Sequence, residues 1–404
     1  MTSRVARRHG RREPRMTIRS PRRPRTPVLR LETPELDALI AAAERGAIVV
    51  WRGERIPFTE MPRVIARTDG RQERDGLYAG WIDALEALNP LYQERHAAWR
   101  ERASAGGTDD IAATVATGID LGALAGELER LAIQSETVYY AALRRYLALI
   151  GIEQGDATIA DLWHVERGAS WSQWFGERDL NRAAAEAGRN ATGAVHGQGW
   201  RSGEAGLAGS EPTTAAPAAA VAELHGSLVG DPSWLRRALR MAPDEIAAFA
   251  DFVAFVRLRR LRRSLSLVQY EMRLYRTDDE PMQRAYFSGI VGHMIGVSVP
   301  EAAYLHDVGA PFSSVADLQR TMLAGAIAER LESRYGSEWW ATDDARALTA
   351  ELSGAASAQD VLAQLGYDAL DWRPVLRQIR TRLIGEMSGY GGPNITTRAG
   401  TRKV

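Results

Sequence analysis

The sequence predicts an all-α protein with very little β structure. Two long segments, 69–102 and 120–150, have apolar residues at steps of three and four, the period that places them on a helix face. Strand signals are scarce, and the clearest is the short run Ile48–Trp51. The composition fits a folded chain, because 45% hydrophobic and 25% charged residues among 404 are ordinary globular values.

Start and stop signals divide the chain into elements. Thr33 is a good N-cap and is followed by Pro34 at the first helical position. Asn89-Pro90 should kink a long helix, because proline lacks the backbone donor that a helix interior needs. The segment 244–276 is apolar on more than one side and should therefore lie centrally. The predicted helices cover 33–46, 69–102, 120–150, 218–228, 244–276, 280–296, 313–335, 343–352, 358–365 and 373–387, and the strand Ile48–Trp51 is closed by the turn Arg52-Gly53-Glu54.

Composition shifts predict five segments. Residues 1–30 carry eleven arginines, one acid and four prolines, so they have almost nothing to bury and should form a disordered tail. We interpret this tail as solvated, with Met16 as an alternative start; an arm that binds nucleic acid through its arginines remains open. The other segments are a helical lobe over 31–187, a Gly-, Ala-, Ser- and Pro-rich linker over 188–217, a second helical lobe over 218–388 and a flexible tail over 389–404.

Several function classes are excluded by composition. The chain has no cysteine, which excludes disulfides, thiolate metal sites and cysteine nucleophiles and favours a reducing compartment. No run approaches the roughly 20 apolar residues of a membrane helix, so we expect a cytoplasmic protein. The formal net charge is zero, and Lys403 is the only lysine, so the basic side chains are almost all arginine.

Seven segments occur along the chain in this order: VVWRGERIPFTEMPRVIA, ALEALNPLYQERHAAWRERA, IDLGALAGELERLAIQSETVYYAAL, GDPSWLRR, RLRRSLSLVQYEMRLYR, YLHDVGAPFSSVADLQRTMLAGAIAERLESRYGSEWW and DVLAQLGYDALDWRPVLRQI. They resemble a branch of the zinc oligopeptidases related to thimet oligopeptidase and oligoendopeptidase F. The resemblance covers most of 48–379, and its most specific parts are GSEWW at 336–340 and LGYD at 365–368. It implies a mostly helical, two-lobed bowl whose cleft admits short peptides, with zinc on its floor.

The chain departs from this family where the chemistry is expected. No H-E-x-x-H pentapeptide occurs, and a Gly- and Ala-rich run over 188–220 stands in its place. Glu223 and His225, on the helix that follows, are two residues apart, which separates them by about 200° around a helix. The resemblance also implies tyrosines as oxyanion donors in the stretch 311–318, where this chain has none and carries Asp317.

We therefore predict a metallopeptidase-like pseudoenzyme, a non-hydrolytic binding or accessory protein without catalytic residues or a cofactor. Its remnant cleft should hold a peptide, a small metabolite or a protein partner, and we expect neither nucleic acid nor a membrane as partner. Three alternatives remain open. They are an enzyme of metal-independent acid–base chemistry in the same cleft, an active zinc peptidase with non-standard ligands, and an arginine-tailed nucleic-acid binder.

Candidate ligand contacts of the cleft are Tyr270, Glu271, Asp317, Arg320 and Glu166. A replacement zinc site would use His164, His196 and His225, which would have to converge through the linker.

Two clusters of large side chains have structural interpretations. The arginines at 257, 259, 260, 262 and 263 spread around a helix, and we interpret them as internal salt-bridge partners of acids such as Glu271 rather than as a phosphate site. Trp163, Trp171 and Trp174 are interpreted as a buried contact between lobes, with a pocket lining as the alternative.

Overall fold

The computed structural model describes residues 33–105, 121–174 and 217–385. This part of the chain is mostly helical, with one two-stranded sheet, so the all-α prediction is confirmed. The helices are α1 (Thr33–Gly46), α2 (Met61–Arg67), α3 (Arg71–Ala105), α4 (Leu121–Leu149), α5 (Ile159–Glu166), α6 (Pro217–Ser227), α7 (Pro243–Leu274), α8 (Glu280–Ile295), α9 (Ser313–Tyr335), α10 (Asp343–Ser353), α11 (Ala358–Leu365) and α12 (Arg373–Gly385).

The sheet is a hairpin of β1 (Ile48–Trp51) and β2 (Glu54–Pro57), paired antiparallel with Val49 opposite Ile56. Its two-residue turn needs positive φ at both positions, and Arg52 and Gly53 have φ of 51° and 89°. The ring of Trp51 in β1 lies against α3 at Gly76, where an added Cβ would stand 2.1 Å from a ring carbon. A glycine at this position therefore lets the hairpin pack on α3.

The long helix α7 is the centre of the fold. It packs against α4, α8, α9 and α12, and it buries apolar side chains on several sides, as its pattern predicts. Pro243 opens the helix, and Asp244 and Glu245 add negative charge to its first turn, where the helix dipole favours it. The candidate site residues within the described part of the chain therefore lie on α7 itself, on α9, which packs against it, or on the short helices α5 and α6.

Two short helices are missing from the sequence prediction. The helix α2 has seven residues, too few for a recognisable period, and α5 has eight. A capping box starts α5, in which Asp161 accepts hydrogen bonds from the backbone and the hydroxyl of Thr158. The same carboxylate accepts from the Nη2 of Arg74 at 2.8 Å, which ties α5 to α3.

The apolar core is continuous across the two predicted lobes. One cluster of buried side chains extends from Ile40 to Leu383. The tails predicted at 1–30 and 389–404 and the linker at 188–217 lie outside the described residues, apart from Pro217, with which α6 begins. Among the helices that the structure describes, none combines the length and the apolar character needed to cross a membrane.

Candidate functional site

Helix α6 presents its polar side chains to separate neighbours. The carboxylate of Glu223 accepts hydrogen bonds from two residues of α9, the Nε of Arg320 at 2.8 Å and the hydroxyl of Thr321 at 2.6 Å. The His225 ring is buried beside Trp339, with 6.0 Å between ring centroids. Its Nδ1 has no hydrogen-bond partner in the described part of the protein, and burial lowers the pKa of this imidazole.

Arg320 connects two acids. Besides Glu223, its guanidinium contacts the carboxylate of Asp317 one turn earlier on α9, at 2.9 Å. Burial lowers the pKa of Arg320, but the two carboxylates outweigh burial, and the net shift is upward. Burial also raises the pKa of Asp317, partly opposed by Arg320. The candidates Asp317 and Arg320 thus meet each other, together with Glu223, which the sequence prediction did not include among ligand contacts.

Arg257 and Arg260 of α7 face the same region and lack direct partners. Neither guanidinium makes a hydrogen bond or an ion pair with any of the described residues, and the Nε of Arg260 is buried without an acceptor. Burial lowers the pKa of Arg257 to about 10; Arg382 adds repulsion, and Glu223 partly offsets it. Burial also lowers the pKa of Arg260, which lies within electrostatic reach of Glu166 and Glu223. Both side chains stay partly accessible to solvent.

Arg382 on α12 is a third cation of this region. Its Nη2 lies 3.6 Å from the carboxylate of Asp231, and burial lowers its pKa although Asp231 and Glu332 oppose that effect. Gly230 allows the approach, because a Cβ there would lie 2.7 Å from Val253 of α7 and 3.3 Å from the Arg382 guanidinium. The sequence signal for this residue is weak, since α12 carries several arginines of which most are exposed.

The other arginines of α7 are all engaged. Arg259 forms a buried ion pair with Glu166 of α5, including an Nη2 to Oε2 hydrogen bond of 2.8 Å. Arg262 donates to the backbone oxygens of Met294 and Ala132 and to the hydroxyl of Ser135. The Glu166 candidate is therefore held by a salt bridge within the core.

Arg263 pairs with Asp307 at 2.7 Å. Burial raises the pKa of that carboxyl, but Arg263 and the His306 ring outweigh burial and bring it down to about 2. His306 lies between aromatic rings, edge-on to Phe58 and Trp81 at centroid distances of 5.9 Å. This interaction fixes the 306–307 loop against α7.

A small cavity lies beside these pairs, between α3, α5, α7 and α8. Its volume is about 430 Å³, which includes space open to solvent. Trp81 and Trp163 form part of its wall, together with Arg259, Arg263 and Asp307. Trp163 thus lines this cavity, and Trp171 packs on Phe249 of α7 with 5.2 Å between ring centroids.

Glu271 does not pair with an arginine, and the expectation that it would is wrong. Its carboxylate is buried and accepts from the backbone N–H of Phe312 at 2.5 Å and from the hydroxyl of Tyr275 at 3.4 Å. Arg263 and Arg260 precede it by eight and eleven residues, about 12 and 16 Å along the helix axis, which is too far for a contact. Burial, only partly offset by these donors, raises the pKa of Glu271 to about 8.

The contact at Phe312 supports a strained position. Phe312 has a φ of 56° and is the N-cap of α9, so the Glu271 carboxylate satisfies a donor at the start of that helix. Tyr270 is fully buried against Phe287, and its hydroxyl has no partner among the described residues. Both candidates therefore lie inside the protein rather than on a ligand-accessible wall.

The histidine candidates do not come together as far as the structure describes them. The Nδ1 of His164 lies 2.9 Å from the backbone oxygen of Ala66, and His225 packs against Trp339. His196 lies outside the described residues. Within 33–105, 121–174 and 217–385, no group of three or more His, Asp and Glu side chains is arranged to hold a metal ion.

Comparisons with known proteins give no relative on which to base an assignment. The chain matches no family model, no curated protein and no solved structure.

Proposed function

We propose that this chain is a non-hydrolytic binding protein, derived from an oligopeptidase-like ancestor with a two-lobed architecture, that holds a small ligand beside α6 and α7. One observation carries the proposal: the carboxylate of α6 is paired with one guanidinium group and lies within electrostatic reach of two more. Arg320 contacts Glu223 directly, and Arg257 and Arg260 both interact with it electrostatically. In the resemblance to the oligopeptidases, α6 is the helix at the end of the 188–220 run that stands in place of the zinc-binding pentapeptide.

The positive charge around Glu223 disfavours zinc binding and therefore zinc-dependent peptide hydrolysis. A catalytic zinc needs three protein ligands at about 2.0–2.2 Å and an open position for water. The Glu223 carboxylate is paired with the cation Arg320 and accepts two hydrogen bonds from α9, and Arg257 and Arg260 add positive charge that repels a divalent metal; of the nearby acids, Asp317 is itself paired with Arg320. Without a metal the pKa of a bound water stays far above neutral pH, and peptide hydrolysis loses its nucleophile.

An enzyme of metal-independent acid–base chemistry has less support. Its best general base by pKa is Glu271, which is 1% exposed and bonded to the backbone of Phe312. Glu166 is equally enclosed by its ion pair with Arg259. A catalytic base must reach the proton that it abstracts, within about 3.2 Å or through one water, and neither group is open to a substrate.

The test uses the purified full chain. Its zinc content is measured by atomic emission after dialysis against micromolar zinc, and cleavage of internally quenched peptides is followed with and without a chelator. We expect less than 0.1 zinc per chain, about the background of such a measurement, and no chelator-sensitive cleavage. One zinc per chain together with cleavage that the chelator abolishes would overturn the proposal.

A further inference from the structure

We propose that Arg257 and Arg260 form the binding site for an oxyanion group, a carboxylate or a phosphoryl group, of the ligand. This inference rests on the proposed function, since it names the chemistry of the ligand that the non-hydrolytic protein would hold.

The two arginines are placed to act together. They are three residues apart on α7, so they lie about 60° apart around the helix and about 4.5 Å apart along it. Both are half-buried, which removes much of their hydration while leaving a path from solvent. Two guanidinium forks at this spacing can bind one oxyanion from two sides.

The nearby acids are already occupied. Glu223 accepts from Arg320 and Thr321, and Glu166 accepts from Arg259. Both acids influence Arg260 electrostatically, but among the described residues neither accepts a hydrogen bond from it or from Arg257. The acids nearest to Arg257 and Arg260 are therefore bonded to other residues.

The unpaired state is energetically unfavourable. A buried donor without an acceptor costs roughly 1–3 kcal/mol, and more when it is charged. The buried Nε of Arg260 is such a donor. Arg382 increases the positive potential at Arg257. The Asp231 carboxylate lies 3.6 Å from Arg382 and pairs with that residue rather than with Arg257. An oxyanion would supply the missing acceptors and reduce the repulsion among these cations.

The experiment is isothermal titration calorimetry on the full chain with three probes. They are inorganic phosphate, a short peptide with a free C-terminal carboxylate, and the same peptide as its C-terminal amide. We expect phosphate or the free-acid peptide to bind, and the amide to bind at least about tenfold more weakly than the acid if a carboxylate is the ligand group. Binding of phosphate alone would assign the site to phosphoryl compounds.

Matched variants test the residues. We expect Arg257→Met and Arg260→Met each to weaken binding about 10- to 100-fold, because each removes charge-assisted hydrogen bonds. Arg257→Lys keeps the charge without the fork and should fall between the wild type and Arg257→Met. Arg273→Met is the control, since Arg273 lies on the same helix but is exposed. Circular dichroism of each variant checks that the fold is retained.

Two results would overturn the inference. One is that no probe binds at millimolar concentration to the folded chain. The other is binding that Arg257→Met and Arg260→Met leave unchanged, or that Arg273→Met weakens equally. Either result is compatible with a chain that lacks zinc and peptidase activity, so the failure of this site is distinguishable from failure of the proposed function.

Discussion

The two sides of α7 use the same residue type in opposite ways. On one side Arg259, Arg262 and Arg263 each bind an acid or backbone oxygens brought by α4, α5, α8 and the 306–307 loop. Arg257 and Arg260 instead lie within electrostatic reach of Glu223 on α6, without a bonded partner among the described residues. Among the seven residues 257–263, three arginines therefore stabilise the core, while the guanidinium groups of Arg257 and Arg260 have hydrogen-bond donors without an acceptor among the described residues. The second arrangement lowers stability in the free protein, which is typical of binding sites.

The largest expected effect is a loss of stability at the paired arginines Arg259, Arg262 and Arg263. Glu166→Ala leaves the Arg259 guanidinium buried and unpaired, and breaking a buried ion pair in this way costs about 3–5 kcal/mol. Urea unfolding at pH 7 measures the loss. Glu338→Ala is the control, because its pair with Arg237 is about half exposed on both sides and should contribute below about 1 kcal/mol. A loss from Glu166→Ala no greater than that of the control would show that the two sides do not differ.

Glu271 should make stability depend on pH. Its pKa is 4.5 ordinarily and about 8 in the folded protein. Between these values the folded chain keeps a proton that the unfolded chain releases, so stability is highest below pH 4.5 and falls as pH rises towards 8. The loss between pH 5 and 8 is about 3 kcal/mol.

Glu271→Gln keeps an acceptor for the Phe312 N–H and removes the titration. We expect it to flatten this pH dependence and to raise the free energy of unfolding at pH 8 relative to the wild type. Denaturant unfolding at pH 5, 6.5 and 8 measures the slope, with Glu280→Gln on the more exposed α8 N-terminus as the comparison. An unchanged slope in Glu271→Gln would mean that other groups control the dependence.

A smaller change in stability is expected at Arg257 and Arg260, which have no bonded partner among the described residues. Arg257→Met removes a charge that has no bonded partner in the described structure, so the free energy of unfolding should stay the same or rise by about 1 kcal/mol. The matched change Arg259→Met should instead destabilise by about 3–5 kcal/mol, because it leaves Glu166 uncompensated. Equal destabilisation by both substitutions, measured by urea unfolding without added anions, would contradict the distinction between the two sides.

The smallest expected effect concerns His225, the unpaired side chain of α6. Burial lowers its pKa, so below pH 6.5 the unfolded chain takes up a proton that the folded chain does not, and stability falls with falling pH. His225→Phe should remove this loss and raise the free energy of unfolding more at pH 5.5 than at pH 7.5. Thermal unfolding at the two pH values measures the difference, and an equal gain at both would attribute it to packing.

Helix positions were largely predictable from the sequence. The boundaries predicted for α9 and α11 match the structure, and those of α7 and α8 agree within two residues. The signals there are local: apolar side chains at helical spacing, Pro243 at an N-terminus, and Gly296 and Gly366 in left-handed conformation after a helix end. The helices α2 and α5, with seven and eight residues, were not predicted; α11 is as short as α5 but has Gly366 directly after its last residue, which marks its end.

The candidate site was only partly predictable. Asp317 and Arg320 meet, as their spacing of three on one helix allows, but Glu223 joins them from 97 residues away from Arg320. Tyr270 and Glu271 were expected on a cleft wall and are buried instead, because α8 and the Phe312 turn cover that side of α7. Periodicity marks a residue as facing a neighbour, but it does not identify the neighbour.

By itself, the sequence determined that this chain forms an all-α protein around a central, arginine-bearing helix, because helix formation and amphipathicity depend on residues a few positions apart. Only the tertiary structure decided which arginines are paired. Glu166 reaches Arg259 across 93 residues, and Asp307 reaches Arg263 from a loop beyond α8, whereas no acid of the described residues forms an ion pair with Arg257 or Arg260. Ion pairing depends on distance and direction in space, and helix packing sets both.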